Sequence, residues 1–495
     1  MASALRIHDS DSVAVALEPL SAGTEIKVTD DLRITLIDDI PAGHKFALYA
    51  FPAGANIIKY GFPIGHTLEA VRPGQHVHVH NLKTNLSETL TYEWHPTAPP
   101  SPPAVTPSFF QGYLRKDHRV GIRNELWIIP TVGCVNDIAR KLERDARSLQ
   151  GPSIDHVYAF PHPYGCSQMG DDQENTRKIL ADLATHPNVG GVLVLGLGCE
   201  NSNVDEIKKY MGDYDESRVR FLICQQVDDE YSASMALLEE LAERMRKDKR
   251  IPCPASSLVV GMKCGGSDGF SGITANPVIG GFSDRLAALG GTTILTEVPE
   301  MFGAETILMS RCPTHELFEK TVALINDFKR YYQRNHQTIY ENPSPGNKAG
   351  GITTLEDKAL GCTQKSGFSP VRDVLAYGET VHTPGLNLLS APGNDLVAST
   401  ALAASGAQLI LFSTGRGTPF ACPVPTLKVA SNPSLAEHKR NWIDFAAGDL
   451  LHGKKLDELA DDLLARVLSV AGGEQVISEK HEFHDMAIFK QGVTL

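Results

Sequence analysis

The sequence predicts a multidomain α/β protein, in which a small β barrel or clip precedes a larger, two-part α/β region. Three observations carry this. The chain of 495 residues exceeds what one hydrophobic core usually supports. Residues 1–94 hold only short, partly alternating apolar runs, separated by turn signals about every ten residues. From residue 112 onward, short apolar runs alternate with amphipathic helical patterns, as parallel sheets with crossover helices require.

In the first region the runs are VAVALEPL, DLRITLIDD, HKFALYA, NIIKYGFPI and HVHVHNL. Turns at Ala22-Gly23, Pro41-Ala42-Gly43, Pro52-Ala53-Gly54 and Pro73-Gly74 divide them. Residues 95–111 contain HPTAPPSPPAVTP, whose six prolines favour extended polyproline II, so this stretch reads as a linker. Residues 112–251 form the second domain, with strands in LWIIPTV, HVYAFP, VGGVLVLGLG and FLICQ and helices in NDIARKLERDARSL and SMALLEELAERMRKDK. The charged end of that last helix leads into IPCPAS and a fresh strand, which sets a boundary near residue 252. Residues 252–495 continue the alternation through LVVGMK, TILTEVP, LFEKTVALINDFKRYY, LNLLSA and LILFSTG.

Composition narrows the function. A hydrophobic fraction of 42% with 21% charged residues excludes wholesale disorder. The balance of 46 basic and 59 acidic residues gives a net charge of −13, which suits neither nucleic-acid backbones nor anionic surfaces. No window approaches the ~18 apolar residues of a membrane span. MASALRIHDSDS lacks the basic and apolar segments of a secretory signal. Nine scattered cysteines read as reduced thiols or metal ligands of a cytoplasmic protein.

Cys134, Cys166, Cys199 and Cys264 each follow an apolar strand, where open α/β sheets build their ligand crevice. Thiolates there suit iron or zinc; the alternative is that each is a small apolar core residue. Three glycine-rich loops could cradle a small carboxylate or polyol. Gly265–Pro277 carries Ser267, Asp268 and Asn276, Ser344–Gly351 carries Asn347 and Lys348, and Thr414–Pro419 carries Arg416. Plain turn chemistry is their other reading. His76, His78 and His80 alternate, so a strand presents all three on one side, either as a metal face or as a solvated surface. His44 and Lys45 open a strand after a Pro-Ala-Gly turn. His162 lies near Cys166 in a proline-flanked loop. Glu200, Asp268, Glu297 and Glu300 are the carboxylates near strand ends.

Taken in order, GHKFAL, NIIKYGFPIG, HVHVHN, VGIRNELWIIPTVGCVN, YGCSQMGDD, GLGCEN, KCGGSDGFSGITANP, TEVPEMFGAE, NPSPGNKAGGITTLEDKALGCTQK and TGRGTP resemble the altronate/galactarate dehydratase family of sugar-acid hydro-lyases. The resemblance runs from Ile7 to the terminal FKQGVTL. It implies an N-terminal β-clip of the SAF type and a metal-dependent dehydration. Fe2+ is the implied cation, with Mn2+ or an iron–sulfur cluster on three of the strand-end cysteines as alternatives. The HVHVHN strand favours the altronate branch over the galactarate branch, hence conversion of D-altronate to 2-dehydro-3-deoxy-D-gluconate and water. That reaction removes the proton at C2, beside a carboxylate, and expels the C3 hydroxyl. A divalent metal, an acid–base group and carboxylate-holding cations are its requirements.

The expected assignments follow. Catalysis falls to His44, Lys45, Glu300 and Lys348; substrate binding to Ser267, Asp268, Asn276, Asn347, Lys348 and Arg416; metal ligation to His162, Cys166, Cys199 and Cys264. The clip is expected to dock over the α/β crevice and bring His44 to it. The partners expected are a small sugar acid and a second copy of the chain, with neither nucleic acid nor membrane. A non-catalytic sugar-acid sensor is the rival from another class, but it gives no reason for so many strand-end thiols and histidines.

Overall fold

The computed structural model describes residues 3–495. Its N-terminal part is all β. Ala4–Leu5, Val13–Ala16, Lys45–Ala47 and His76–Val77 make one antiparallel sheet in that order; Asn56–Lys59, Phe62–Thr67 and Leu82–Lys83 make a second, and Glu25–Lys27 pairs with Arg33–Thr35. Two apolar groups fill this clip. Ala14, Leu36, Ile40, Phe46 and Leu48 close on one another. Val13, Ala47, Ile57, Ile64 and Val77 instead pack on Ala304, Ala359 and Leu360 of the C-terminal region. The clip therefore shares part of its core with the body it sits on.

No helix or strand occurs between Lys83 and Phe109, yet the segment is not a free linker throughout. The Tyr92 hydroxyl donates to Glu305 at 2.5 Å, Trp94 Nε1 to the Cys312 carbonyl at 3.1 Å, and the Thr97 amide to the Ser310 carbonyl at 2.8 Å. Leu86, Tyr92 and Trp94 also pack against the largest core. The linker expected over residues 95–111 is corrected at both ends, since Thr97 is strapped down and Phe109–Leu114 is a strand. That strand pairs antiparallel with Ile251–Pro254, so the chain enters and leaves the second domain along one ribbon.

The second domain holds a parallel sheet in the order Val157–Ala159, Glu125–Pro130, Val189–Gly196, Val219–Ile223. Every residue of Val189–Gly196 is buried, so both faces need cover. Leu193 and Leu195 meet Leu142, Leu238 and Leu241 of helices Asn136–Ala146 and Glu230–Met245. Val192 and Val194 point the other way, toward Ile179, Leu180 and Leu183 of helix Gly170–Ala184.

The C-terminal region carries a seven-stranded parallel sheet. Its order is Val371–Leu375, Gly385–Leu389, Thr292–Leu295, Val259–Cys264, Leu409–Thr414, Thr426–Ala430, Phe445–Ala446. The first strand in sequence, Val259–Cys264, lies inside, with later strands added on either side. The order reverses there, and such a switch point opens a crevice at the carboxyl end of the strand. Cys264 and the loop after it stand at that opening.

Candidate active site at the clip–sheet junction

The clip docks on the carboxyl end of the seven-stranded sheet through backbone contacts that only glycine permits. A Cβ at Gly269 would stand 2.0 Å from the Gly43 carbonyl oxygen, and one at Gly351 2.3 Å from it. This close approach carries His44 and Lys45 onto the segment Ala349–Thr353.

Three histidines meet there. His44 Nδ1 lies 3.0 Å from His76 Nε2, His44 Nε2–H donates to the Ala349 carbonyl at 3.3 Å, and His78 Nδ1 is 3.0 Å from Thr353 Oγ1. One ring nitrogen from each of the three lies within 4.8 Å of the others. Burial is the largest influence on each: it lowers the pKa of His44, and with neighbouring positive charge it brings His76 to about 4 and His78 to about 3. All three are neutral imidazoles at pH 7, the form that ligates metals. The His80 ring lies tilted at 47°, 5.5 Å from His76, and is not part of this group.

Beneath the histidines, Lys45 Nζ donates to the Gly351 carbonyl at 3.1 Å, Thr353 Oγ1 at 2.5 Å and Asp357 Oδ2 at 2.9 Å. Lys59 reaches the other oxygen, Asp357 Oδ1, at 2.8 Å. Burial opposes ionisation of Asp357, but Lys45 and Lys59 outweigh it and hold the carboxyl well below the usual range. One carboxylate serves two ammonium groups unequally. Lys59 is held above its ordinary value, while burial brings Lys45 down to about 8.

A second buried group lies at the switch point. Cys264 Sγ and Cys362 Sγ are 3.4 Å apart, and Glu300 Oε2 accepts from them at 3.0 and 3.1 Å. Lys358 pairs with Glu300 Oε1 at 2.7 Å. Burial opposes the Glu300 charge, but Lys358, Lys365 and Lys263 outweigh it and depress its pKa. Glu297 binds Lys263 at 2.5 Å and Lys365 at 3.4 Å. Lys263 also pairs with Asp395 at 2.8 Å, so three lysines face three carboxylates.

His44, Lys45 and Glu300 fall at this junction. Lys348 and Arg416 lie on its rim: Lys348 is half-buried beside Ala349, and Arg416 is exposed, 3.4 Å from the Gly346 carbonyl. Neither has an ion-pair partner among the described residues. Ser267 is 1% exposed with its hydroxyl unpartnered.

Other assignments are corrected. Asp268 accepts from Ser271, Ser431 and Asn432, which uses its carboxylate to pin the loop. Asn276 accepts from Ser413 and donates to the Gly361 carbonyl. Asn347 caps its own helix, and its amide donates to the Ser267 carbonyl. These three shape the loops through contacts within the protein. His162 is buried, with Nε2 2.7 Å from the Pro130 carbonyl and Nδ1 accepting from the Tyr164 amide; both nitrogens are taken by backbone. The metal set His162, Cys166, Cys199 and Cys264 is not brought together. Cys166 and Cys199 are exposed on the four-stranded sheet, whereas Cys264 is buried on the other.

Sequence reasoning missed Lys59, Thr353, Asp357, Lys358, Cys362 and Lys365. A signal existed in TLEDKALGCTQK, where Lys358, Cys362 and Lys365 recur at helical spacing on an otherwise apolar face.

The comparisons agree along the whole chain. Residues 2–85 match the altronate/galactarate dehydratase SAF domain. Residues 112–246 match the second domain of D-galactarate dehydratase/altronate hydrolase, and 255–494 the C-terminal domain of D-galactarate/altronate dehydratase. The chain is 54% identical to altronate dehydratase of Escherichia coli (strain K12), covering 99% of both proteins. It is 53% identical to altronate dehydratase of Bacillus subtilis (strain 168), covering 100% of both. Identity to the galactarate dehydratase (L-threo-forming) of the same E. coli strain is 33%, over 98% of this chain and 96% of that one. The chain belongs to the D-galactarate/altronate dehydratase family.

Proposed function

We propose that this protein is a metal-dependent hydro-lyase that converts D-altronate to 2-dehydro-3-deoxy-D-gluconate. The observation that carries the reading is the convergence of His44, His76 and His78 on the Ala349–Thr353 segment. Two of these histidines come from the HVHVHN segment that marks the altronate branch. Only His76–Val77 of it is strand, and His78 follows in a turn, its amide donating to Asn81 Oδ1, so the expected one-sided strand of three histidines is corrected. The higher identity to altronate dehydratases than to the galactarate enzyme supports the same substrate.

Three neutral imidazoles beside a threonine hydroxyl fit Fe2+ better than Mn2+, which prefers oxygen ligands. The ion would be held by His44, His76 and His78, where it supplies Lewis acidity to a hydroxyl or an enolate oxygen. Lys348 and Arg416, cations without internal partners, hold the substrate carboxylate at the rim. The hydrogen-bonded series His78, Thr353, Lys45, Asp357 gives the C2 proton a path into the protein. Gly43, Gly269 and Gly351 close the junction tightly enough to keep water from the enol. Nine unpaired cysteines suit a reducing, cytoplasmic setting.

The test is chelation and reconstitution. Exhaustive metal removal abolishes 2-keto acid formation from D-altronate, and Fe2+ under reducing conditions restores it. Full activity in the metal-free protein would overturn the proposal.

A further inference from the structure

The three exposed cysteines of the second domain have no place in the junction site. Cys134, Cys166 and Cys199 follow three neighbouring strands of the four-stranded parallel sheet, Glu125–Pro130, Val157–Ala159 and Val189–Gly196. Their loops are knitted together. The Gly133 amide donates to the Tyr164 carbonyl, the Ser202 amide to the Gly165 carbonyl, and the Ser167 amide to Asn201 Oδ1. Glu200, next to Cys199, accepts from Thr131 Oγ1 at 2.6 Å and from the amides of Leu197 and Gly198. A Cβ at Gly165 (φ +97°) would fall 1.9 Å from the Thr131 carbonyl oxygen. Three thiols thus line one interlocked rim at the carboxyl end of a sheet, where α/β folds bind ligands.

The sulfurs are not gathered within 4.8 Å of one another, unlike the two groups at the junction. Ligands of a single tetrahedral ion, with bonds of about 2.3 Å, must be that close. A cuboidal cluster spreads its thiolates, because each binds a different iron. The fourth strand-end cysteine, Cys224, is half-buried against the apolar core of its domain, and burial raises its thiol to about 11. It acts as an apolar filler. Helices Asn136–Ala146 and Gly170–Ala184 start just after the first two cysteines, and their N-terminal dipole ends favour a negatively charged group.

We propose that Cys134, Cys166 and Cys199 hold a [4Fe–4S]-type cluster whose remaining iron has no cysteine ligand. On binding, three S–H protons pass to solvent and three S–Fe bonds form, one to each of three irons. This site is separate from the histidine group, so the inference stands apart from the dehydration proposed above.

The test is anaerobic reconstitution with iron, sulfide and dithiothreitol, followed by desalting and measurement of iron, acid-labile sulfide and visible absorbance. The wild-type chain is expected to retain about four sulfides and a broad visible band. C134S/C166S/C199S loses both while keeping its thermal unfolding midpoint, since all three positions are exposed. H76A/H78A keeps its sulfide, which separates this site from the junction. C224S also keeps it. Wild-type protein that takes up metal without sulfide, or a triple variant that retains sulfide, would overturn the proposal, as would sulfide loss in C224S.

Discussion

Lys45 of the clip and Asp357 of the C-terminal region form an ion pair at 2.9 Å, with side chains 1% and 0% exposed. Lys59 joins it from the same clip at 2.8 Å. The clip is thus fastened to the sheet by one buried carboxylate shared between two ammonium groups, directly beneath the histidines.

Asp357→Asn leaves two buried cations without a counterion. The expected loss is about 3–5 kcal/mol, read as a lower unfolding midpoint in denaturant. The sign with pH follows from the depressed carboxyl. Stability from Asp357 is full above the ordinary carboxylate range near pH ~4 and is lost as pH falls through its lower native value. Wild-type protein therefore loses this contribution only in acid, whereas the variant lacks it at neutral pH. An unchanged midpoint at pH 7 would count against the fastening role.

Removing a member of the histidine group is expected to act on metal and turnover together. H76A and H78A should each weaken Mn2+ binding, followed by the spin-resonance signal of free Mn2+, and lower altronate turnover by about 100-fold or more. His162→Gln disturbs two backbone hydrogen bonds instead, so it lowers stability and leaves metal affinity near that of the wild type. The reverse pattern would restore His162 as a ligand.

At the rim, Lys348→Met and Arg416→Gln remove cations without disturbing an internal pair. Each should raise KM for altronate by about 10-fold or more, the worth of a charge-assisted hydrogen bond. Asp268→Asn is expected to act on stability rather than on KM, because its carboxylate is spent on Ser271, Ser431 and Asn432. Steady-state kinetics alongside thermal unfolding separates the two effects.

Asp182 offers a test away from the site. Burial raises its carboxyl to about 8, against the weaker pull of Arg119 and Lys178, and one of its oxygens has no partner. A raised native pKa means its contribution is full below the unfolded pKa of about 3.9 and declines as pH rises toward 8. Asp182→Asn should therefore stabilise the protein at pH 8 by about 1–3 kcal/mol and have little effect at pH 4. Equal effects at both pH values would refute the assignment.

The sheets were legible because their strands, such as Val189–Gly196, are continuous apolar runs, which only two-sided burial explains. The clip was legible from its turn spacing, and His44 from its place after Pro41-Ala42-Gly43. Other features depend on contacts that sequence does not display. Spacing near Cys166 says nothing about the Pro130 carbonyl and Tyr164 amide that occupy both nitrogens of His162. The Gly-rich turns around Cys199 and Cys264 look alike, yet they end strands of different sheets. The prolines after Pro96 conceal the anchoring of Tyr92, Trp94 and Thr97. Lys358 and Cys362 lie in helix Leu355–Thr363 and Lys365 in the turn after it, and only tertiary contact with Glu297 and Glu300 reveals their partners.

The most direct measurement is the ratio of kcat/KM for D-altronate and galactarate with the Fe2+-loaded protein under anaerobic, reducing conditions, following 2-keto acid formation. The histidine junction and the HVHVHN segment predict a clear preference for altronate. Equal or better turnover of galactarate would contradict the account.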